Sequence, residues 1–228
     1  MSNMLTTSVV PEDSRVVRAV VFDAFGTLFD TVMGRHPYRQ LFQLAKAGGR
    51  KPTPEDSRSV MTIPMSLAGC ADWLGINLSM RQLADIEDDL QAELCRIRFY
   101  SDAKPAIAAA KKIGIKVGVC SNLAQPYGVI AKVLLADLPI DAAILSYEVG
   151  AIKPDPFIYR SVCNELDLPP SEIHFVGDSY ENDVAGPRAF GMNAAHLVRS
   201  HEASGSPDMD FIRELSELDF LRGTHAYQ

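Results

Sequence analysis

Short runs of apolar residues alternate along the chain with longer segments whose apolar positions recur every three or four residues. The apolar runs lie at residues 16–22, 115–120, 142–145, 173–176 and 193–198. Helical periodicity marks the segments 102–113, 156–167 and 182–190. Because the apolar runs are nearly continuous, they predict strands that are covered on both faces, as in a parallel sheet. We therefore predict an α/β fold with a doubly wound parallel-sheet (Rossmann-like) core and right-handed crossovers.

The interval 34–100 interrupts this alternation, because it contains no convincing buried strand. Its helical stretches are 37–47, 55–61, 66–74 and 79–98. The longest of them carries apolar residues every three or four positions, which form one apolar stripe. The chain is thus predicted to have three parts. These are a loose N-terminal tail (1–15), an α/β core (16–33 and 101–228) and an inserted, mostly α-helical segment (34–100).

Composition and charge narrow the classes of partner. The chain has 228 residues and a formal net charge of -7. Nonspecific nucleic-acid binding needs a positive surface, so we expect no nucleic-acid partner but still allow for a small anionic substrate. No apolar run has the roughly 18 residues that cross a bilayer, which predicts no membrane partner. The first residues lack the features of a secretory signal and the four cysteines form no CxxC pair, which favours a reduced, cytoplasmic protein.

Three of the predicted strands end in a cluster of small polar or acidic residues. The clusters are Asp23-Ala24-Phe25-Gly26-Thr27, Ser121-Asn122 and Gly177-Asp178-Ser179. A single acidic residue after a strand is more often a turn former or a helix cap than a catalyst. Ligands of open α/β sheets bind beyond the carboxyl ends of the strands, however. Three such ends together predict one shared site.

These clusters resemble, in chain order, motifs of the haloacid-dehalogenase-like (HAD) hydrolase superfamily. The matching stretches are VVFDAFGTLFD (20–30), VCSN (119–122), Lys153 within AIKPDP (151–156), and FVGDSYENDVAGPRAFGM (175–192). The similarity covers about residues 16–33 and 101–220. The helical insertion lies where the family places its cap domain. The resemblance implies a hydrolase that uses an aspartate nucleophile.

The resemblance and the side-chain chemistry together indicate roles for individual residues. Asp23 is expected to be the nucleophile and to form a covalent aspartyl intermediate. Lys153 is expected to neutralise negative charge on Asp23 and on the reacting group. Gly26 lets the chain turn sharply after the strand. The anionic group of the substrate is expected to contact Thr27, Ser121, Asn122 and Lys153.

The resemblance also implies a Mg²⁺ cofactor, a cation that prefers hard oxygen ligands. Its expected ligands and supports are Asp23, the backbone carbonyl of Phe25, Asp178, Asp183 and, as a steadying residue, Asn182. Two alternatives stay open at this point. Asp183 could equally be the N-cap of the following helix. Lys153 could be a surface lysine in the turn before Pro154.

Phe25 departs from the pattern of the family's phosphatases. They usually place a second aspartate two residues after the nucleophile, where it protonates the leaving alkoxide, a contribution of roughly 10²–10⁴-fold. Haloacid dehalogenases accept an aromatic residue there, because a departing halide needs no proton. They also use an arginine from the cap, for which Arg35, Arg39 and Arg50 are available. Phe25 therefore favours a dehalogenase.

Gly177-Asp178 favours the opposite conclusion, because the family's dehalogenases need no metal and usually have serine and asparagine there. We favour Mg²⁺-dependent hydrolysis of a small phosphorylated metabolite. The first alternative is a metal-independent 2-haloacid dehalogenase, and the second is a phosphate-binding relative with weak turnover. The sequence specifies neither the substrate nor the oligomeric state.

Trp73 is expected in the core, and the five histidines have no metal-ligand spacing.

Overall fold

The computed structural model describes residues 16–30, 34–199 and 211–222, so the predicted tail at 1–15 lies outside the described residues. Its strands are β1 (Ala19–Phe22), β2 (Phe29–Asp30), β3 (Arg98–Phe99), β4 (Lys116–Ser121), β5 (Ala142–Leu145), β6 (Ile173–Gly177), β7 (Asn193–Leu197) and β8 (Phe211–Ile212). Six of these strands form a parallel sheet in the order β5-β4-β1-β6-β7-β8. This order places β1, which precedes Asp23, between β4 and β6.

Helices cover both faces of the sheet and fill the interval between β2 and β3. They are α1 (Pro37–Ala47), α2 (Pro54–Thr62), α3 (Leu67–Trp73), α4 (Met80–Leu94), α5 (Ala103–Lys112), α6 (Gln125–Leu135), α7 (Ser146–Val149), α8 (Pro156–Leu166), α9 (Gly186–Phe190) and α10 (Asp219–Arg222). A π-helical turn, Tyr180–Ala185, precedes α9. Among the described helices, none combines the length and the apolarity that crossing a membrane requires.

The side chains of β1 alternate between two hydrophobic cores. Val20 and Phe22 are fully buried in one core with residues of α5 and α6. Ala19 and Val21 are fully buried in the other, with residues of α8. A strand that is buried on both faces explains the continuous apolar run in the sequence. The predicted doubly wound parallel core is confirmed.

The chain leaves the sheet through β2 and returns through β3, which pair as a short antiparallel ribbon. Helices α1–α4 lie between these two strands. The apolar stripe of α4 buries Ile86, Leu90 and Leu94 in the same core as Val20 of β1. A smaller core joins Leu41, on α1, to residues of α2 and α3. The segment between β2 and β3 is therefore helical, as its periodicity predicts.

Several local details differ from the sequence prediction. The long helix ends at Leu94 rather than 98, because the next residues turn into β3. Helix α6 was not predicted, since its sequence is apolar on most sides and shows no clean stripe. The prediction for Trp73 was wrong, because its side chain is 63% exposed. Trp73 lies at the end of α3, off the helix face that buries Leu67, Cys70 and Ala71.

The ring of His174, on β6, generates a prediction about pH and stability. Burial, with a contribution from Arg188, lowers the pKa of His174 to about 4. An unfolded histidine titrates near 6.5, so the unfolded state binds more protons between these two pH values. Acidification from pH 7.5 to 5 should therefore cost roughly 2 kcal/mol of stability through this residue. In His174→Leu, denaturant unfolding at the two pH values should show a smaller loss, and an unchanged loss would contradict this assignment.

Candidate active site

The carboxylate of Asp23 lies at the carboxyl end of the central strand. Parallel register aligns the ends of β1 and β4, which places Ser121 beside it. The Ser121 hydroxyl donates to Asp23 Oδ1 at 2.9 Å, and Lys153 Nζ donates to the same oxygen at 2.6 Å. The Asp23 residue is only 6% exposed. Two donors therefore fix the plane of a nearly buried carboxylate.

Lys153 joins three parts of the site. Its ammonium donates to Asp23 and to Asp183 Oδ1, at 2.6 Å in both cases, and to the Cys120 carbonyl at 2.9 Å. The residue is 3% exposed, so the alternative of a surface lysine is wrong. Burial by itself would lower the pKa of Lys153, but Asp23 and Asp183 outweigh burial and raise that pKa above its usual value. The side chain is thus held as a cation.

The amide of Asn122 clamps the backbone of Lys153. Asn122 Nδ2 donates to the Lys153 carbonyl at 3.0 Å, and the Lys153 N–H donates to Asn122 Oδ1 at 2.7 Å. The side chain expected to contact phosphate is therefore engaged in positioning the lysine. A phosphate contact by Asn122 stays a prediction.

Two further carboxylates, both following β6, complete the cluster. Asp23, Asp178 and Asp183 each offer an oxygen, and these oxygens all lie within 4.8 Å of one another. Asp183 is fully buried, and its Oδ2 accepts from the Ser179 N–H at 2.9 Å. The residue lies inside the π-helical turn, and α9 begins only at Gly186, so the N-cap alternative is wrong.

Two glycines make room for these carboxylates. A Cβ at Gly177 would lie 2.3 Å from the Asp183 carboxylate, and a Cβ at Gly26 would lie 2.2 Å from Asp178 Oδ2. Gly26 also has a φ of 88°, which favours glycine. Either substitution would displace a carboxylate. The sharp turn predicted for Gly26 thus serves the close approach of Asp178.

The donor set suits a divalent cation. Three carboxylates around one ammonium leave an excess of two negative charges. All three carboxylates supply hard oxygen atoms, which Mg²⁺ prefers. Desolvation and then the neighbouring charges of Asp23 and Asp183 raise the pKa of Asp178 to about 6. The residues present therefore fit Mg²⁺.

Thr27 and Asn182 lie at the edges of this cluster. Thr27 is fully buried, and its hydroxyl has no hydrogen-bond partner within the described ranges. Its carbonyl accepts from Arg199 Nη2 at 2.7 Å. Asn182 donates to the Ser179 hydroxyl at 3.0 Å, and its carbonyl accepts from the Tyr159 hydroxyl at 2.7 Å. Asn182 thus braces the turn that carries Asp183.

Arg199 also supports the site, and the sequence analysis did not identify it. Besides the Thr27 carbonyl, it binds both carboxylate oxygens of Asp102, at 3.0 and 3.1 Å, and its guanidinium lies 3.9 Å from the Tyr100 ring centre. It supports the loop after Asp23 from 172 positions away in the chain. A single arginine after a strand carries no motif that would have identified it.

A cavity of about 770 Å³ lies between the helical insertion and the loops at the end of the sheet. Phe25, Asn122 and Tyr127 line it from the core, while Tyr38 and Arg39 line it from α1. In the sequence, the feature that could have identified Tyr127 as a cavity residue is its position soon after the end of a predicted strand. Because Asn122 adjoins Ser121, whose hydroxyl donates to Asp23, the cavity lies close to Asp23.

Only one of the three candidate arginines lines this cavity. Arg35 binds Asp89 at 2.6 Å, with its side chain 69% exposed. Arg50 binds Asp56 through both terminal nitrogens, at 2.7 and 2.9 Å. That contact holds the pKa of Asp56 at about 2. Arg39 is the arginine that contributes to the cavity wall.

Comparison with known proteins gives relatives of two activities. The chain is 28% identical to (S)-2-haloacid dehalogenase 1 of Pseudomonas sp. (strain CBS-3), over 90% of this chain and 96% of that protein. It is 29% identical to a phosphatase of Mycobacterium tuberculosis, over 89% of this chain and 95% of the relative. The crystal structure of a HAD phosphatase from Thermococcus onnurineus superposes with a TM-score of 0.64, at 23% identity, over 91% of this chain and 98% of that one.

One family model accounts for these sequence and structural similarities. The model of haloacid dehalogenase-like hydrolases matches residues 17–191, which include every element that carries a residue of the carboxylate cluster. The match also spans the helical insertion. The chain belongs to the haloacid dehalogenase-like hydrolase family.

Proposed function

We propose that this hydrolase is a Mg²⁺-dependent phosphatase that attacks a small phosphorylated metabolite with Asp23. The observation that carries the proposal is the cluster of Asp23, Asp178 and Asp183, whose negative charge exceeds that of Lys153 by two units. A divalent cation offsets this excess. Without a cation, the excess charge would repel an anionic haloacid from the same carboxylate. The relatives include both activities, so the choice depends on this charge.

The reaction proceeds in two displacements. A carboxylate oxygen of Asp23 forms a bond to phosphorus, and the ester P–O bond breaks with its electron pair going to the leaving oxygen. Water then attacks the phosphorus of the aspartyl phosphate, which releases inorganic phosphate and regenerates Asp23. Mg²⁺, held by Asp23, Asp178 and the Phe25 carbonyl with Asp183 in support, would supply stabilisation of charge on the phosphoryl oxygens.

The protein's own side chains orient the nucleophile and balance its charge. Lys153 and Ser121 donate to one oxygen of Asp23, so the carboxylate is preorganised before substrate arrives. Asn122 keeps Lys153 in place through the lysine backbone. The partnerless hydroxyl of Thr27 is a donor that a phosphoryl oxygen would satisfy.

Helices α1–α4 are proposed to form a cap over this site, with the segment boundaries 34 and 100. Support comes from the cavity, which has walls from both the helical segment and the loops of the sheet. A cap of this kind excludes water while the aspartyl phosphate forms. The cap would also choose the substrate, because it supplies most of the cavity wall.

A second candidate function is metal-independent dehalogenation of a 2-haloacid. Phe25 favours it, because no proton donor stands at that position, and Arg39 in the cavity wall offers a partner for the acid's carboxylate. The two candidates separate in one assay. Halide release in EDTA supports dehalogenation, whereas phosphate release that requires Mg²⁺ supports the phosphatase.

Replacement of Asp23 tests the covalent mechanism. Asp23→Asn keeps the size of the side chain but makes a poor nucleophile, so turnover of any phosphate ester should fall at least roughly 10³-fold. Phosphate release is the measurement, and Asp88→Asn, on the exposed face of α4, is the matched control. Retention of more than a few per cent of activity by a folded Asp23→Asn would exclude an aspartyl intermediate.

Metal binding can be tested without turnover. Asp178→Asn replaces a charged hard ligand by a neutral one, so the affinity for Mg²⁺ in calorimetry should fall by roughly tenfold or more. The control Asp88→Asn should bind Mg²⁺ like the wild type. If the wild-type protein binds no Mg²⁺, the phosphatase proposal loses its main support.

Restoring an acid at position 25 tests the role of leaving-group protonation. Phe25→Asp should raise the rate on alkyl phosphates by about 10–10³-fold and the rate on aryl phosphates much less, because an aryloxide leaves without a proton. Thermal melting must first show that the variant is folded, since the Phe25 ring packs against Phe29 and Tyr127. A folded variant with no gain on any phosphate ester would argue for the dehalogenase instead.

A further inference from the structure

A continuous series of aromatic rings runs from the nucleophile loop into the cavity. Ring centres are 5.5 Å apart for Phe29 and Phe25, 5.8 Å for Phe25 and Tyr127, and 6.1 Å for Tyr127 and Tyr38. Three of these residues, Phe25, Tyr127 and Tyr38, line the cavity, and we name them the aromatic wall. Such rings favour offset or edge contacts with another ring.

The aromatic wall begins beside the reacting group. Phe25 lies two residues after Asp23 in the same tight loop, where the Gly26 N–H donates to the Phe29 carbonyl. On the opposite side, the cavity reaches Asn122, the neighbour of Ser121. The organic substituent of a phosphate ester whose phosphorus faces Asp23 can therefore reach the aromatic wall before the P–O bond breaks.

The acidic groups of the cavity are engaged with protein partners. Glu93 accepts from the Tyr127 hydroxyl at 3.0 Å and from the His36 N–H at 3.1 Å. Burial and Glu93 raise the pKa of Tyr127, so its hydroxyl keeps its proton. Asp30 lies near Tyr100, whose pKa is raised by burial and then by the negative charge of Asp30. With phenylalanine at position 25, a leaving group that departs without a proton suits this site.

Beside polar residues such as His36, Arg39 and Ser57, the rest of the cavity lining has a large apolar part. It includes Phe42, Val60, Met61, Ile97 and Leu123. A polyol placed against these side chains would lose hydrogen bonds to water without replacing them. A flat aromatic group would instead bury its own apolar surface against these side chains and gain contacts with the aromatic rings.

We propose that the substrates of this enzyme are aryl phosphates, in which the phosphoryl group is esterified to a phenol-type hydroxyl. This inference rests on the proposed phosphatase function and specifies its substrate class. The ring packs against the aromatic wall, and the aryloxide oxygen takes the electron pair of the breaking P–O bond. Delocalisation of that charge into the ring removes the need for an acid at position 25.

Four phosphoryl compounds, three esters and the mixed anhydride acetyl phosphate, separate ring binding from leaving-group chemistry, each assayed with Mg²⁺ and with EDTA. Phenyl phosphate has both features, benzyl phosphate has only the ring, acetyl phosphate has only the good leaving group, and glycerol 3-phosphate has neither. We expect kcat/KM for phenyl phosphate to exceed that for glycerol 3-phosphate by about 10³-fold. Benzyl phosphate should share the low KM but lose about 100-fold in kcat. Acetyl phosphate should keep a high kcat with a KM about tenfold higher.

A variant of the aromatic wall tests the ring contact directly. Tyr127→Leu should raise the KM for phenyl phosphate about tenfold, whereas Tyr127→Phe, which keeps the ring, should raise it less than about threefold. Trp73→Leu, which removes an exposed aromatic residue outside the cavity, is the matched control and should leave all four KM values unchanged. Equal effects of the two Tyr127 substitutions would mean that the Glu93 contact, not the ring, matters, and would contradict the proposal.

The assay distinguishes failure of this inference from failure of the proposed function. If none of the four compounds releases phosphate in a Mg²⁺-dependent manner, the phosphatase function is overturned and the substrate class with it. If Mg²⁺-dependent release occurs but benzyl phosphate or glycerol 3-phosphate is used as efficiently as phenyl phosphate, the substrate class alone is overturned.

Discussion

The buried ammonium of Lys153 is the contact on which the arrangement of this site depends. It connects Asp23 after β1, the Cys120 carbonyl on β4 and Asp183 after β6, at 2.6 to 2.9 Å. Buried charges are costly unless each is paired and hydrogen-bonded. Here all three N–H groups of the ammonium have an acceptor, so one side chain fastens the ends of three neighbouring strands.

The charge balance of the carboxylate cluster around Lys153 determines which ion it can hold. One cation among three carboxylates leaves negative charge that a divalent ion suits, and the same lysine keeps Asp23 oriented. The adjoining cavity differs in character, since the rings of Phe25, Tyr127 and Tyr38 form a continuous part of its lining. On the proposed function, the carboxylate cluster would hold the phosphoryl group and the aromatic wall would hold its substituent, and the loop that carries Asp23 and Phe25 joins the two.

The sequence predicted the elements whose signals are local. Continuous apolar runs identified the central strands, and the polar residues at their ends identified Asp23, Ser121 and Asp178, because parallel strands bring such ends together. The clamp formed by Asn122, the support from Arg199 and the exposure of Trp73 were not predictable in this way. Each depends on which face of an element meets a distant neighbour, and apolar periodicity does not specify that partner.

The link between Arg199 and the Thr27 carbonyl joins residues that lie 172 positions apart in the chain. During synthesis Asp23 and Thr27 emerge from the ribosome first, whereas the arginine that supports their loop emerges only after all three carboxylates and Lys153. The loop lacks this support until then, so a nascent fragment that contains Asp23 and Lys153 still lacks a contact of the finished site. Assembly of the complete site is thereby coupled to synthesis of the chain beyond Arg199.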